Sequence, residues 1–231
     1  MKRKMLALIS AFTILGATSK AVEPYAFGVK IGAVNNMLMG IDKAKVVGEN
    51  ESQFLSLGFA GALYGEYAFH ENVGVALEAG YFMGTIANFK TKGADKDKYK
   101  IDLQGIKFLP MLKYYPMGRE DENGILQVFV GGDITMPLSG KGQKNDETAV
   151  DIKKDDLNTV GFGAIGGVGY EFPFGLLVDL RASYSFTDLF KEEVTAFKKK
   201  TLAFADPKKE QTSLFNYGLT VGYNIGVLLE E

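Results

Sequence analysis

The sequence predicts an all-β chain that folds as an eight-stranded antiparallel up-and-down barrel and spans a membrane, with short turns at one end and four longer loops at the other. Three observations predict this fold. Eight segments alternate between large apolar and small or polar residues, the opposite face of several segments is mostly glycine, and short connections alternate with long ones. A length of 231 residues suits one all-β domain.

The eighth segment shows the alternation most clearly. Its large side chains share one face: Phe215, Tyr217, Leu219, Val221, Tyr223, Ile225 and Val227. The other face carries small or polar residues: Asn216, Gly218, Thr220, Gly222, Asn224 and Gly226. Successive Cβ atoms of a strand point to opposite sides, so this period of two indicates a strand with two different faces and excludes a helix.

The other seven segments repeat the design, and the proposed apolar faces carry no charge. The charged residues fall on the opposite face: Lys30, Glu66, Glu78, Lys107, Lys113, Asp133, Glu171, Asp179 and Arg181. Buried charges are tolerable when they are paired and hydrogen-bonded, so we expect these residues to form a structural network inside the barrel. An ion path along the same residues is the alternative, although an eight-stranded interior is filled by side chains.

The connections indicate how the barrel is oriented. Short ones fall at residues 70–72, 116–124 and 173–175, and long ones at 35–53, 85–101, 136–158 and 187–213. Outer-membrane barrels have short periplasmic turns and longer external loops. We therefore expect a location in the outer membrane of a Gram-negative cell envelope, with both termini in the periplasm.

A soluble lipocalin-like barrel is the main competing architecture, because its strands also alternate. It would place the bulky apolar face inside and the glycine-rich face in water. A strand face made of glycine gains no packing when it is exposed, whereas small residues fit the crowded interior of an eight-stranded barrel. The glycines therefore favour the membrane barrel.

Pro110 interrupts the fourth segment. Proline cannot donate to a ladder in which every other N–H needs a partner. We expect a bulge or a local break at this position.

The N-terminus has the pattern of a cleavable signal peptide. Lys2, Arg3 and Lys4 precede an apolar run over residues 5–17, and Ser19-Lys20-Ala21 fits a small-x-small cleavage site. The run is shorter than the ~20 residues of a membrane-spanning helix. We predict a signal peptide over residues 1–21 and a barrel domain over 22–231.

The composition of the chain argues against most kinds of catalytic and metal-binding site. The chain has no cysteine, which excludes disulfides and thiolate sites, and its net charge of -2 does not suggest a nucleic-acid partner. His70 is the only histidine and falls in a predicted short turn, where it has no second imidazole or triad partner. We expect no catalytic residue, no metal and no cofactor.

Several strand segments carry a resemblance to a known family. They are Phe27-Gly28-Val29-Lys30-Ile31-Gly32, Phe108-Leu109-Pro110-Met111-Leu112-Lys113-Tyr114-Tyr115, the stretch 163–170, and Leu180-Arg181-Ala182-Ser183-Tyr184. Through them the chain resembles the PorT-type outer-membrane β-barrels, and more distantly the OmpA-type and OmpX-type barrels. The resemblance covers nearly the whole mature chain and implies fold and location rather than a particular role. One departure is the end of the chain, which continues past Tyr223 instead of finishing on an aromatic residue.

We interpret the chain as a non-enzymatic outer-membrane protein with a structural or surface-interaction role. Its expected partners are outer-membrane lipid, lipopolysaccharide, and an envelope or host protein at the external loops, and we expect a monomer. One loop is basic, with Lys90, Lys92, Lys96, Lys98 and Lys100, and would suit an anionic surface. Phe190, Val194 and Phe197 recur at helical spacing in the last loop, which is compatible with a short helix or a strand extension. A narrow ion or small-solute pore and a lipid-binding soluble barrel are the alternative functions.

Export with the predicted cleavage gives a mature protein that begins at Val22. Mass spectrometry of the protein isolated from the membrane fraction measures this terminus. Replacing Ala21 with Leu should block cleavage, since the site requires a small residue. A mature protein that still carries residues 1–21 would contradict the prediction.

Overall fold

A computed structural model describes the chain over residues 24–39, 56–90, 98–119, 123–145, 148–152, 157–188 and 213–229. The predicted signal peptide lies outside these residues, as do the centre of the basic loop at 91–97 and the segment 189–212 with its predicted helical spacing.

Antiparallel strands make up most of the described chain. They are β1 (Tyr25–Met39), β2 (Leu57–His70), β3 (Val73–Lys90), β4 (Lys98–Tyr114), β5 (Ile125–Lys144), β6 (Val150–Ile152), β7 (Gly161–Glu171), β8 (Leu176–Ser185) and β9 (Ser213–Asn224). A short 3₁₀ helix, Gly226–Leu229, follows β9. None of the helical segments in the described ranges is long and apolar enough to cross a membrane.

Eight of these strands form a closed barrel. Each pairs antiparallel with the next in chain order, with β5 followed by β7, and β9 returns to pair with β1 from Gly28↔Asn224 to Met39↔Ser213. Short β6 pairs with the end of β5. Closure gives every strand of the barrel a neighbour on both sides, as a bilayer requires. The predicted eight-stranded up-and-down barrel is confirmed.

Large apolar side chains cover the outside of the barrel. Ile31 is 70% exposed, Leu63 67% and Leu180 60%, and the residues beside them in each strand point inward. Exposure of so large an apolar surface to water would be unfavourable, whereas its contact with lipid chains is favourable. The arrangement is the reverse of a soluble barrel with an apolar interior, and it agrees with the faces predicted from the sequence.

Three of the predicted long loops are partly strand. β1 runs to Met39, within the predicted loop 35–53, and pairs there with β9. β3 and β4 continue as a ladder to Lys90↔Lys98, within the predicted loop 85–101. β5 likewise runs to Lys144, within the predicted loop 136–158, and pairs there with β4. The extensions of β3, β4 and β5 mix polar and apolar residues, and a register shift between Thr85 and Ala87 interrupts the alternation there, so the sequence pattern resembles that of a loop. The backbone N–H and C=O groups of neighbouring strands continue to pair beyond the predicted ends, and this pairing makes the strands longer than their composition indicates.

Pro110 produces a break on one side only. On the β3 side Leu77↔Pro110 continues the register without a shift. On the β5 side the register runs to Phe108↔Ile134 and resumes unchanged at Met111↔Gly131. The expected local break therefore occurs in the ladder with β5, and there is no bulge at Pro110.

The seam between β1 and β9 requires a very close approach at Gly28. A Cβ added there would overlap the carbonyl oxygen of Tyr223 and meet the ring of Tyr64. By contrast, a Cβ added to Gly61 on β2 would meet nothing. The two glycines therefore provide a matched pair for testing closure.

A closed barrel resists detergent until it is heated, so the unboiled protein should migrate differently from the boiled protein in gel electrophoresis. We expect Gly28→Val to abolish the unboiled band, because the side chain would force β1 away from β9. Gly61→Val should retain it. A shift that survives in Gly28→Val, or that is lost equally in both variants, would contradict the described seam.

Candidate functional site: the charged lumen

The residues predicted to face inward do so, and most of them are buried. Side chains with little exposure are Lys30, Glu66, Glu78, Lys113, Asp133, Glu171 and Asp179. Arg181 and Lys107 are slightly more open, with side chains 9% and 21% exposed. Alternation along the strands places all of these charges on the lumen side, away from the lipid-facing surface. Two clusters and one further ion pair result.

A tetrad of two cations and two anions occupies the middle of the lumen. Lys30 Nζ lies 2.7 Å from Glu78 Oε1 and 2.8 Å from Asp179 Oδ2. Arg181 completes the central tetrad, with Nη1 2.7 Å from Glu78 Oε2 and Nη2 2.7 Å from Asp179 Oδ2. Each anion thus meets both cations, which offsets the cost of removing four charges from water.

Neighbouring side chains complete the contacts of the tetrad. Thr220 Oγ1 donates to Asp179 Oδ2 at 3.2 Å. The ammonium of Lys30 lies over the ring of Tyr64, 4.9 Å from its centroid, and the guanidinium of Arg181 lies 5.6 Å from the centroid of Phe129. Cations are attracted to aromatic faces, so the rings add to the stabilisation.

Glycines provide the space that these long side chains occupy. A Cβ on Gly169 would overlap Asp179 Oδ1, and one on Gly222 would come within 2.6 Å of Lys30 Cγ. The glycine-rich face seen in the sequence is therefore the counterpart of the charged network. Small residues on β7 and β9 leave room for large residues on other strands.

A second cluster closes the lumen near the short turns, and we call it the turn-end cluster. Glu66 accepts hydrogen bonds from Lys113 Nζ and from the hydroxyl of Tyr115. Arg119 Nη2 lies 3.5 Å from Glu66 Oε1, and Arg119 Nη1 donates to the carbonyl of Pro24 at 3.1 Å. This cluster ties the start of β1 to the turn after β4.

Gln127 joins the two clusters. Its Oε1 accepts from Lys113 Nζ at 2.7 Å, and its Nε2 donates to Asp179 Oδ1 at 3.1 Å. A neutral amide can accept from a cation and donate to an anion at the same time. The network of ion pairs and hydrogen bonds is consequently continuous from Arg119 to Arg181.

Three predicted residues, Lys107, Asp133 and Glu171, stand apart from these clusters. Near the long loops, Lys107 Nζ lies 2.8 Å from Asp133 Oδ2, and Thr135 Oγ1 donates to Asp133 Oδ1 at 2.7 Å. On the opposite side, Glu171 Oε1 accepts from Asn224 Nδ2 at 2.8 Å, and within the described residues it forms no ion pair.

Sequence reasoning missed three members of the network. Tyr115 continues the inward alternation of β4 by one step beyond the strand, which was a usable signal. Gln127 was assigned to the inward face, but only charged residues were predicted to form the network, so this neutral amide was left out of it. Arg119 lies in a predicted turn, so no periodicity indicated that its side chain returns to the lumen.

His70 ends β2 and is exposed, and its Nδ1 accepts from the backbone N–H of Asn72 at 3.2 Å. In the part of the chain that the structure describes, no group of three or more His, Asp or Glu side chains could hold a metal ion. The lumen instead holds carboxylates and cations, most of which are paired with one another.

Comparisons with known proteins give one family and a set of similar folds. The model of the family described as outer membrane protein beta-barrel domain matches residues 19–191, well over half of the chain. A search of curated proteins gave no match.

Similar solved structures are outer-membrane and surface proteins. OprG from Pseudomonas aeruginosa is 14% identical with a TM-score of 0.45, covering 87% of this chain and 95% of that one. Neisserial surface protein A is 12% identical with a TM-score of 0.41, covering 86% and 96%. Ail of Yersinia pestis is 14% identical with a TM-score of 0.39, covering 87% and 99%.

Breaking one buried pair should destabilise the barrel strongly. Lys113→Met leaves the Glu66 carboxylate without its nearest cation, and we expect a loss of about 3–5 kcal/mol of unfolding free energy. Adding Glu66→Gln to that variant removes the excess charge and should recover part of the loss. Urea unfolding in lipid vesicles measures both.

The exposed pair Lys100–Asp102 serves as the control. Its ammonium and carboxylate lie 3.0 Å apart, with side chains 46% and 41% exposed. Lys100→Met should cost at most about 1 kcal/mol. Equal losses for Lys113→Met and Lys100→Met would show that the turn-end cluster has no special role in stability.

Proposed function

The chain belongs to the outer membrane protein beta-barrel domain family, and from that membership we propose that it is a non-enzymatic barrel that anchors external loops for contact with other molecules. The observation that carries this proposal is that side chains fill the lumen in its middle and at its turn end. Glu78, Lys113, Gln127 and Asp179 are each at most 2% exposed, and Tyr115 is fully buried. A lumen blocked by its own side chains supports an anchor better than a conduit.

Pairing within the lumen supports the same conclusion. An ion that entered would have to separate Lys30 and Arg181 from Glu78 and Asp179, which already satisfy one another. Separating buried partners leaves unpaired charge in a region of low dielectric constant, and this costs several kcal/mol. The nine charged residues predicted from the sequence, extended by Tyr115, Arg119 and Gln127, therefore act as a structural network in this proposal.

The proposed orientation places the long loops outside the cell and both termini in the periplasm. Support comes from the alternation of short and long connections and from the position of the two ends. Pro24 contacts Arg119 at the turn end, and Asn224 donates from its backbone to the carbonyl of Gly175 in the turn after β7. Short turns are typical of the periplasmic side.

External contacts would be made by the polar strand extensions and the loops that they support. Lys98, Lys100 and Lys141 are exposed on the extended part of β4 and β5. Their charge suits anionic lipopolysaccharide or an acidic patch on an envelope or host protein. In this proposal the protein acts as a monomer, and the lipid around the barrel is its constant partner.

A narrower relationship, to the PorT-type barrels, rests on the sequence segments that carry the resemblance, above all Phe27 to Gly32 and 108–115. These segments lie in β1 and at the end of β4, where the inward-facing side chains of Lys30 and Lys113 enter the network. The relationship is consistent with a structural role.

Planar-bilayer recording tests the anchor against the pore. The folded protein should give no reproducible conductance, because the network blocks the lumen. Arg181→Ala with Glu78→Ala removes one charge of each sign and opens space at the tetrad, so it should raise the frequency of current steps. Steady conductance in the unaltered protein that changes with Arg181→Ala would favour the pore and refute the anchor.

A further inference from the structure

The lumen is not filled at the loop end. A cavity of about 100 Å³ lies above the central tetrad, at the end of the barrel that carries the long connections. Its apolar wall is formed by inward side chains of β3, β4, β7 and β9: Phe82, Ile86, Leu103, Leu109, Ile165 and Leu214. An apolar cavity of about 150 Å³ is known to hold benzene, so a cavity of this smaller size suits about four carbons or fewer.

The charges that border the cavity balance in sign and already have partners. Lys107 Nζ lies 2.8 Å from Asp133 Oδ2, and Arg181 donates to both anions of the central tetrad. Asp188, at the edge of the cavity, also has an interaction partner within the protein. A carboxylate or an ammonium in this space would add a charge that has no free counterpart, and burial of an unpaired charge is unfavourable.

Uncharged polar groups at the border are also engaged within the protein. Ser185 Oγ donates to the carbonyl of Thr187 at 3.0 Å, and Asn216 Nδ2 donates to Ser183 Oγ at 3.1 Å. Two polar atoms of the border, Arg181 Nε and Asn216 Oδ1, have no partner among the described residues, but they have almost no accessible surface. A ligand in the cavity cannot reach these two atoms. The cavity therefore favours a molecule that is held by apolar contact alone.

We propose that the loop-end cavity is a binding site for a small, uncharged, apolar molecule of about four carbons or fewer. Such a molecule is held because its surface is removed from water and because it makes dispersion contacts with the apolar wall. The balanced and paired charges of the border disfavour both anionic and cationic ligands. The proposal goes beyond the anchoring role and does not depend on it.

Methyl NMR of the mature full chain in lipid nanodiscs tests the proposal, with butane, butyrate and butylammonium as probes. The three probes have alkyl chains of similar length and differ in charge. The labelled methyl groups of Ile86, Leu103 and Ile165 report on the cavity, whereas those of Ile31 and Leu63 face lipid and report on partition into the bilayer. We expect saturable shifts of the cavity methyl resonances with butane. Both ions should bind at least about tenfold more weakly, because each brings an unpaired charge into an apolar space.

Two leucine variants test whether the cavity itself is the site. Ala60 borders the cavity from β2, so Ala60→Leu should fill it and abolish the saturable shifts. Ala33→Leu makes the same change on the exposed outer face of β1 and should leave butane binding unchanged.

A second pair of variants tests the selection by charge. Asp133→Asn leaves Lys107 without its carboxylate partner. Butyrate should then bind at least about tenfold more tightly, the effect of a hydrogen bond to a charged group. Adding Lys107→Gln to that variant restores the balance of charge and should remove the gain. Butane should bind equally well to the single and the double variant.

Heat-modifiability first verifies that each variant is folded. Saturable butane binding that is lost in Ala60→Leu and retained in Ala33→Leu establishes the site, and a gain of butyrate binding in Asp133→Asn establishes its selectivity. Three results would each overturn the proposal: cavity shifts that are no more saturable than those of Ile31, equal losses in the two leucine variants, or an ion that binds the unaltered protein as tightly as butane does.

Discussion

Pairing of the backbone is the constraint on which the rest of this structure depends. Within a bilayer no water is available to unpaired N–H and C=O groups, so a sheet that spans it must close. Here closure is the ladder between β1 and β9, which brings residues near the two ends of the chain into register. Gly28 permits the close approach at that seam. Eight strands enclose a narrow cylinder, and its width limits which side chains fit together inside the barrel.

The narrow lumen explains why charge and glycine occur together. Long cations and carboxylates on β1, β3 and β8 meet in the centre, and glycines on β7 and β9 leave room for them. The charges contribute little net stability relative to apolar packing, but a broken pair would be costly. Only the correct stagger of the strands brings Lys30 to both Glu78 and Asp179. We infer that the network selects one register among those that backbone pairing alone would permit.

The two ends of the lumen differ in a way that matters for function. At the turn end, Arg119 and Tyr115 close the barrel with hydrogen bonds to Glu66 and Pro24. At the loop end, polar side chains give way to an apolar cavity above Lys107 and Arg181. A barrel closed at one end and hollow at the other can hold a small molecule without conducting it.

Sequence reasoning predicted the architecture and the inward position of the charges because both depend on local patterns. Alternation along one strand determines which side chains share a face, and turn composition determines where a strand reverses. The same reasoning misplaced the ends of β1, β3, β4 and β5, because a strand beyond the rim mixes polar and apolar residues as a loop does.

The sequence by itself determined the fold class, the two faces of each strand and the residues available to a network. Only the tertiary structure decided which of them pair, since Lys30 finds partners 48 and 149 residues away and Arg119 reaches the lumen from a turn. The cavity at the loop end also depends on the tertiary structure, because residues of several strands form its wall. Partners across a barrel depend on strand stagger and closure, which are properties of all eight strands together and of no single segment.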